Sequence, residues 1–208
     1  MKLTRYLATA AVSAMFAGSA FAAQFTVDFE KAWDYANGDV NEYYNGGTAA
    51  DGSSGINLGV SFVGVSGLSN DANFTYYSNA PSMLGTAYAH TFAPGDAAYM
   101  NVATGVAGAL SFSYASPADA LDAIKAYSGL NGTGTLLGSI DLLANGLYDV
   151  WTPVTFAFSG TALSFDLTAS ANLVGFDDIK AVPVPPAFML LGSALLVVPK
   201  LRRKLQQA

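Results

Sequence analysis

Two short acidic stretches stand near opposite ends of this 208-residue chain: Val27-Asp28-Phe29-Glu30 and Phe176-Asp177-Asp178-Ile179. Calcium takes six to eight oxygen ligands, and carboxylates from two strands are a usual source of them. Glu30 and Asp178 are the leading candidate ligands, with Asp28 and Asp177 next. Carbonyls or amides between residues 37 and 47 would complete the shell. The competing reading is plain strand-end chemistry, in which the acids terminate strands and accept turn hydrogen bonds. The metal reading requires the first and last strands to lie side by side.

A second group is aromatic. Trp33, Tyr35, Tyr43, Tyr44, Tyr76 and Tyr77 fall in or near polar, Gly-rich segments. A ring exposed there stacks on the apolar face of a sugar while its polar tip stays wet. Trp33, Tyr43 and Tyr44 are the first candidates for sugar contact, against the alternative that they pack in the core or at its rim.

Catalytic signals are weak. His90 is the single histidine, in "AYAHTFAPG", with no G-x-S-x-G nucleophile motif beside it. There is no cysteine, so thiolate sites and disulfides are excluded, and zinc lacks its usual ligands. Fifteen carboxylates make some acid pair inevitable, so a glycoside hydrolase stands only as a second alternative. No catalytic residue is assigned.

The elements that must position these residues are strands. Short apolar runs alternate with polar residues at period two and are split by Gly, Asn, Asp and Ser. In "TVDFE", Val27 and Phe29 share a face; in "TFAFSG", Phe156 and Phe158 do; in "LSFDL", Leu163, Phe165 and Leu167 do. Nine segments read this way: 24–30, 57–66, 97–103, 108–115, 122–129, 134–143, 152–160, 161–169 and 172–181. The nearest thing to a helix is a turn or two from Ser116. Residues 36–55 and 78–96 read as loose connections. This pattern predicts an all-β, jelly-roll-like β-sandwich over residues 23–181, a single domain by its size.

The two ends differ from this body. Residues 1–22 carry Lys2 and Arg5, an apolar stretch, and Ala20-Phe21-Ala22, which fits an A-x-A cleavage site before Ala23. That is a secretory signal peptide. Residues 182–208 run from Pro183-Val184-Pro185 through a short apolar segment to Lys200, Arg202, Arg203 and Lys204. As a helix, Val182 to Pro199 reaches about 27 Å, just short of the ~30 Å hydrocarbon core. The basic cluster stays cytoplasmic by the positive-inside rule. An ordinary C-terminal anchor is the alternative.

Charge is divided the same way. Of nine Lys and Arg, only Lys31, Lys125 and Lys180 lie in the body, against all fifteen acids, leaving it near −12. Nucleic-acid binding by phosphate neutralisation is excluded. Such acidity suits cation binding and solubility outside the cell.

Taken together, the signal segment, the Gly/Asn-rich β body and the tail resemble the PEP-CTERM proteins of Gram-negative bacteria. In that family the tail is a Pro-X-Pro box, a short transmembrane sorting helix and terminal basic residues. Here these match Pro183-Val184-Pro185, the apolar run, and Lys200, Arg202, Arg203 and Lys204. Val184 stands where the commonest form has Glu. The body also resembles the small β domains that precede such tails, through Asp28-Phe29-Glu30, Tyr44-Asn45-Gly46-Gly47-Thr48, Thr135-Leu136-Leu137, Gly160-Thr161-Ala162 and Phe176-Asp177-Asp178-Ile179. The resemblance implies export, transient retention at the inner membrane, and processing by signal peptidase and an exosortase-type protease near the Pro-X-Pro box. It further implies a final place at the cell surface or in a polysaccharide-rich extracellular matrix or biofilm. The function expected is that of a non-enzymatic surface or matrix protein; a carbohydrate-binding module is the first alternative. Structural calcium is the one cofactor expected.

Overall fold

A computed structural model describes residues 24–71 and 76–182. The signal segment, its cleavage residues Ala20, Ala22 and Ala23, and the tail from Pro183 through Lys204 lie outside the described residues. Among those described, no helix is long and apolar enough to cross a membrane.

The chain is all-β and antiparallel. Its strands are β1 (Thr26–Val27), β2 (Val60–Val63), β3 (Val65–Ser69), β4 (Gly85–Ala89), β5 (Tyr99–Ala115), β6 (Ala120–Tyr127), β7 (Leu136–Leu142), β8 (Thr152–Asp166) and β9 (Gly175–Val182). They form one continuous sheet in the order β3-β4-β9-β5-β8-β6-β7, with β1 added to β9 and β2 to β5.

The sheet curls because its two longest strands bend. Residues Tyr99–Asn101 of β5 lie between β2 and the end of β8, whereas Ala109–Ala115 lie between the start of β8 and β9. The register between β5 and β8 shifts twice on the way, between Asn101 and Val106 and between Ala107 and Ala109. Gly105 and Gly108, with φ of 81° and 86°, supply left-handed backbone at these bends. Each bulge turns the strand more sharply than regular pleating allows. The four segments expected at 97–103, 108–115, 152–160 and 161–169 are therefore two long strands. Their internal glycines mark bends within a strand, not turns between strands.

Alternation locates the core. Val27 and Phe29 are both fully buried, as are Phe156 and Phe165, and Phe158 packs against the same cluster. Ser164 breaks the simple pattern. It is fully buried because its hydroxyl donates to Gly129 O at 2.6 Å and accepts from Gly132 N at 2.9 Å, folding the 128–134 turn over the sheet.

Three other expectations are corrected. The segment from Ser116 is a bend leading into β6, with Asp122 at φ 50°, and forms no helical turn. The segment 78–96 contains β4, which pairs with both β3 and β9. Its residues Gly85-Thr86-Ala87 are too small to show an apolar face in the sequence. The polar segment 36–55 is sewn to the core by backbone bonds, among them Val40 N to Val65 O, Phe62 N to Asn41 O and Gly67 N to Gly38 O. Val40, Tyr44 and Ala49 on it are buried.

Candidate functional site

The first and last strands are neighbours, as the carboxylate constellation requires. Thr26 pairs with Lys180 and Val27 with Ile179. Both acidic motifs also carry unusual backbone. Phe29 has φ 52° and Asp178 has φ 53°. Asp178 sits where β9 shifts register against β5, between Ser111 and Ser113. The extra residue turns its carboxylate away from the regular alternation.

The four acids are not turned toward one another. Asp177 is fully buried; Ser82 N donates to its Oδ2 at 2.7 Å and Asp178 N to its Oδ1 at 2.7 Å. Burial raises the Asp177 carboxyl to about 7, outweighing those two donors, which favour the charged form. Asp178 accepts from Ser82 Oγ at 3.3 Å and pairs with Lys180 Nζ at 3.2 Å. Leu84 N donates to Glu30 Oε1 at 2.7 Å. Asp28 accepts from Glu30 N at 3.2 Å and from the Tyr44 hydroxyl at 3.4 Å.

Glu30, Asp177 and Asp178 thus converge on one segment, residues 82–84, through the backbone N–H groups of Ser82 and Leu84 and the Ser82 hydroxyl. Asn70 completes the latch: its Nδ2 donates to Ser82 O and Met83 O, each at 3.1 Å, and its Oδ1 accepts from Ala80 N at 3.2 Å. Among the described residues, no three carboxylate or imidazole side chains gather so as to hold a metal ion. The four proposed calcium ligands therefore form no shared cage among the described residues, and each accepts from at least one N–H or O–H donor.

The aromatic candidates divide. Trp33 and Tyr44 are buried, at 4% and 3% exposure, and so are not open to a sugar. Trp33 Nε1 donates to Phe29 O at 2.9 Å, and its ring meets Tyr43 edge-on at 5.2 Å. Tyr43 is half-buried against Tyr44 at 4.8 Å. Lys31 Nζ lies 4.2 Å from the Trp33 ring centroid and pairs with Asp51. The Lys31 bond, and then the Ser53 bonds, hold the Asp51 carboxyl well below the usual carboxylate range. This knot closes the polar loop onto the core and leaves Tyr43 as the one partly exposed ring of the three candidates.

The exposed rings are others. Tyr35, in a 3-10 turn at Tyr35–Asn37, is 58% exposed and stacks on Tyr76, 43% exposed, at 5.2 Å and 11°. On β4, Tyr88 lies 6.0 Å from His90, and His90 stacks on the exposed Phe92 at 4.5 Å and 26°. A glycine lies opposite two of the buried rings, Trp33 and Tyr77, and opposite neither Tyr35 nor Tyr76. A Cβ at Gly67 would lie 2.2 Å from the Trp33 ring, and one at Gly175 would lie 2.3 Å from the Tyr77 ring.

His90 has a polar neighbour. Its Nε2 lies 2.9 Å from Asp39 Oδ1, and the Ser66 hydroxyl donates to that same oxygen. The order is serine, aspartate, histidine. A nucleophilic triad needs the imidazole in the middle, taking the hydroxyl proton. Here the carboxylate occupies that place, so the cluster does not activate Ser66.

No family model matches the chain, and no curated protein matches it. Among solved structures, it is similar to the K1 cleaved adhesin domain of Lys-gingipain from Porphyromonas gingivalis W83. The two are 17% identical with a TM-score of 0.38, covering 78% of this chain and 99% of that one. A likeness at that level says nothing about this chain's activity or partners.

Proposed function

We propose that the chain is an exported, non-enzymatic protein of the cell surface or extracellular matrix. Its signal segment directs export. Its Pro-X-Pro tail holds it at the inner membrane until signal peptidase and an exosortase-type protease have acted. Its body is a jelly-roll-like sandwich whose two layers share β5 and β8.

The observation that supports this best is the order of segments in the sequence: an A-x-A signal segment, an all-β body, and then Pro183-Val184-Pro185, an apolar run and Lys200, Arg202, Arg203 and Lys204. The last described strand, β9 (Gly175–Val182), lies inside the sheet, flanked by β1 and β4 on one edge and by β5 on the other. An X-Pro step disfavours helix at the preceding residue, leaving an extended stretch for a protease.

The test compares the full chain with one truncated after Val182, both expressed with the signal segment. The full chain fractionates with the membrane before processing and with the surface afterwards. The truncated chain leaves the cytoplasm, folds, and never passes through the membrane fraction. Identical fractionation of the two chains would remove the sorting role.

A further inference from the structure

Five rings and one carboxylate occupy a single stretch of surface at the β3–β4 side of the sheet. Main-chain pairing puts them there. Asp39 bridges Ser66 of β3, and Ser66 pairs with Tyr88 of β4. His90 and Phe92 follow just past the end of β4, and ring contacts hold them beside Tyr88: Tyr88 to His90 at 6.0 Å and His90 to Phe92 at 4.5 Å. Gly38 N–C–O atoms dock on Gly67 through the Gly67 N to Gly38 O bond, which carries Tyr35 to the same side. Asn70 bridges Tyr77, which places Tyr76 beside the end of β3. The Tyr88 hydroxyl is raised by burial first and then by Tyr35, Asp39 and Tyr76, in keeping with that proximity.

These rings pack mainly on one another: Tyr35 stacks on Tyr76, and His90, with its side chain 11% exposed, lies between Tyr88 and Phe92. Tyr35, Tyr76 and Phe92 are 58%, 43% and 74% exposed. Rings of this size normally go to the core, where each contributes strongly to stability. Between them stands Asp39, whose side chain is 46% exposed and whose Oδ1 is held by Ser66 and His90, which orients the carboxylate as an acceptor at the surface.

We infer that this strip of Tyr35, Tyr76, Tyr88, His90 and Phe92 around Asp39 binds a neutral polysaccharide. A hexose ring has an apolar C–H face and a rim of hydroxyls. The exposed ring faces match the first, and the Asp39 acceptor matches the second. Charge decides against anionic polymers. The three cations of the body are engaged elsewhere: Lys31 with Asp51, Lys125 with Asp122 and Lys180 with Asp178. With a carboxylate at its centre and no cation beside it, the strip repels polyuronates and nucleic acid alike. Tyr88 pairs with Gly175 at the start of β9, roughly 20 Å along that strand, at 3.3 Å per residue, from Val182, its last described residue. The inference deepens the matrix reading by naming the ligand class and rests on that reading for its setting.

The test uses the full chain in detergent, run through native gels containing soluble β-glucan, mannan or alginate. Retardation is expected with at least one of the two neutral polymers and not with alginate. Tyr35→Ala/Tyr76→Ala should weaken it at least tenfold, and Asp39→Asn several-fold, with melting temperatures near that of the parent chain. Phe92→Ala provides a third, independent variant should the double one misfold. Absence of retardation by both neutral polymers, preference for alginate, or unchanged retardation in folded variants would overturn the inference. So would a strip whose mutation changes only the oligomeric state. Failure here leaves the processing of the two chain ends untouched, so the two readings fail separately.

Discussion

Trp33 and Tyr35 are two residues apart, as if on one strand face, yet one is sealed in the core and the other is 58% exposed. Tyr76 and Tyr77 are adjacent and divide the same way, at 43% and 5%. The inward member of each pair has a glycine under its ring, Gly67 and Gly85 for Trp33 and Gly175 for Tyr77. The outward members have only each other. At these two places the ring is buried in a vacancy left by a glycine remote in sequence, whereas Tyr35 and Tyr76 have no such vacancy and stay at the surface.

The largest effect that tests this difference is on stability. Trp33→Ala should cost about 3–5 kcal/mol through the cavity it leaves and the lost bond to Phe29 O. At about 2–4 °C per kcal/mol for a chain of this size, the melting temperature should fall by roughly 10 °C. Tyr35→Ala, two residues away, should stay within about 0.5 kcal/mol, as exposed substitutions do. Equal losses for the two variants would break the comparison.

Filling a vacancy is the next step down. Gly67→Ala or Gly175→Ala places a methyl group against a ring that has nowhere to go, at a cost of about 1–3 kcal/mol. Thermal denaturation of each variant checks this. A neutral outcome would mean that Trp33 or Tyr77 moves freely and that the glycines do not decide which ring is buried.

A smaller effect comes from the latch beneath the 82–84 segment. The Asp177 carboxyl is held near pH 7 in the folded chain against an ordinary value of 3.8. Between about pH 4 and 7 the folded state keeps a proton that the unfolded state has lost. Stability from this group is therefore complete below about pH 4 and is lost as pH rises through 7. The melting temperature should fall by a few degrees from pH 5 to pH 8, and Asp177→Asn should flatten that slope. A slope that survives the substitution would place the titrating group elsewhere.

The smallest shift concerns calcium. If Glu30, Asp177 and Asp178 are held by the 82–84 segment, melting curves in millimolar calcium and in chelator should coincide. A rise of several degrees in calcium, abolished by Glu30→Gln, would return these carboxylates to the metal.

Much of the sheet was legible because alternation is a local signal. Val27 and Phe29, or Phe156 and Phe165, announce a buried face within a few residues. The pairing of the first and last strands followed from fold class. The extents of β5 and β8 did not, since Gly105, Gly108 and Gly160 read as turn residues although they bend a strand that continues. β4 was missed because its small residues carry no apolar face of their own; long-range pairing with β3 and β9 makes it a strand.

The candidate site divided along the same line. That Asp28, Glu30, Asp177 and Asp178 lie near one another was readable. Which atoms they bind was not, because Leu84 is 54 positions from Glu30 and Ser82 is 95 from Asp177. Trp33, Tyr43 and Tyr44 were selected as aromatics in a polar segment, and the buried knot around Lys31 and Asp51 has no periodic signature. The exposed strip was only partly visible, through Tyr35 and Tyr76. His90 and Phe92 join it through β4, which the sequence pattern did not reveal.

The most direct test of the central claim, export followed by processing at both ends, is the intact mass of the protein recovered from the cell surface or medium. The account predicts a chain that begins near Ala23 and ends near Pro185. A released chain that still carries Lys200, Arg202, Arg203 and Lys204 would contradict it.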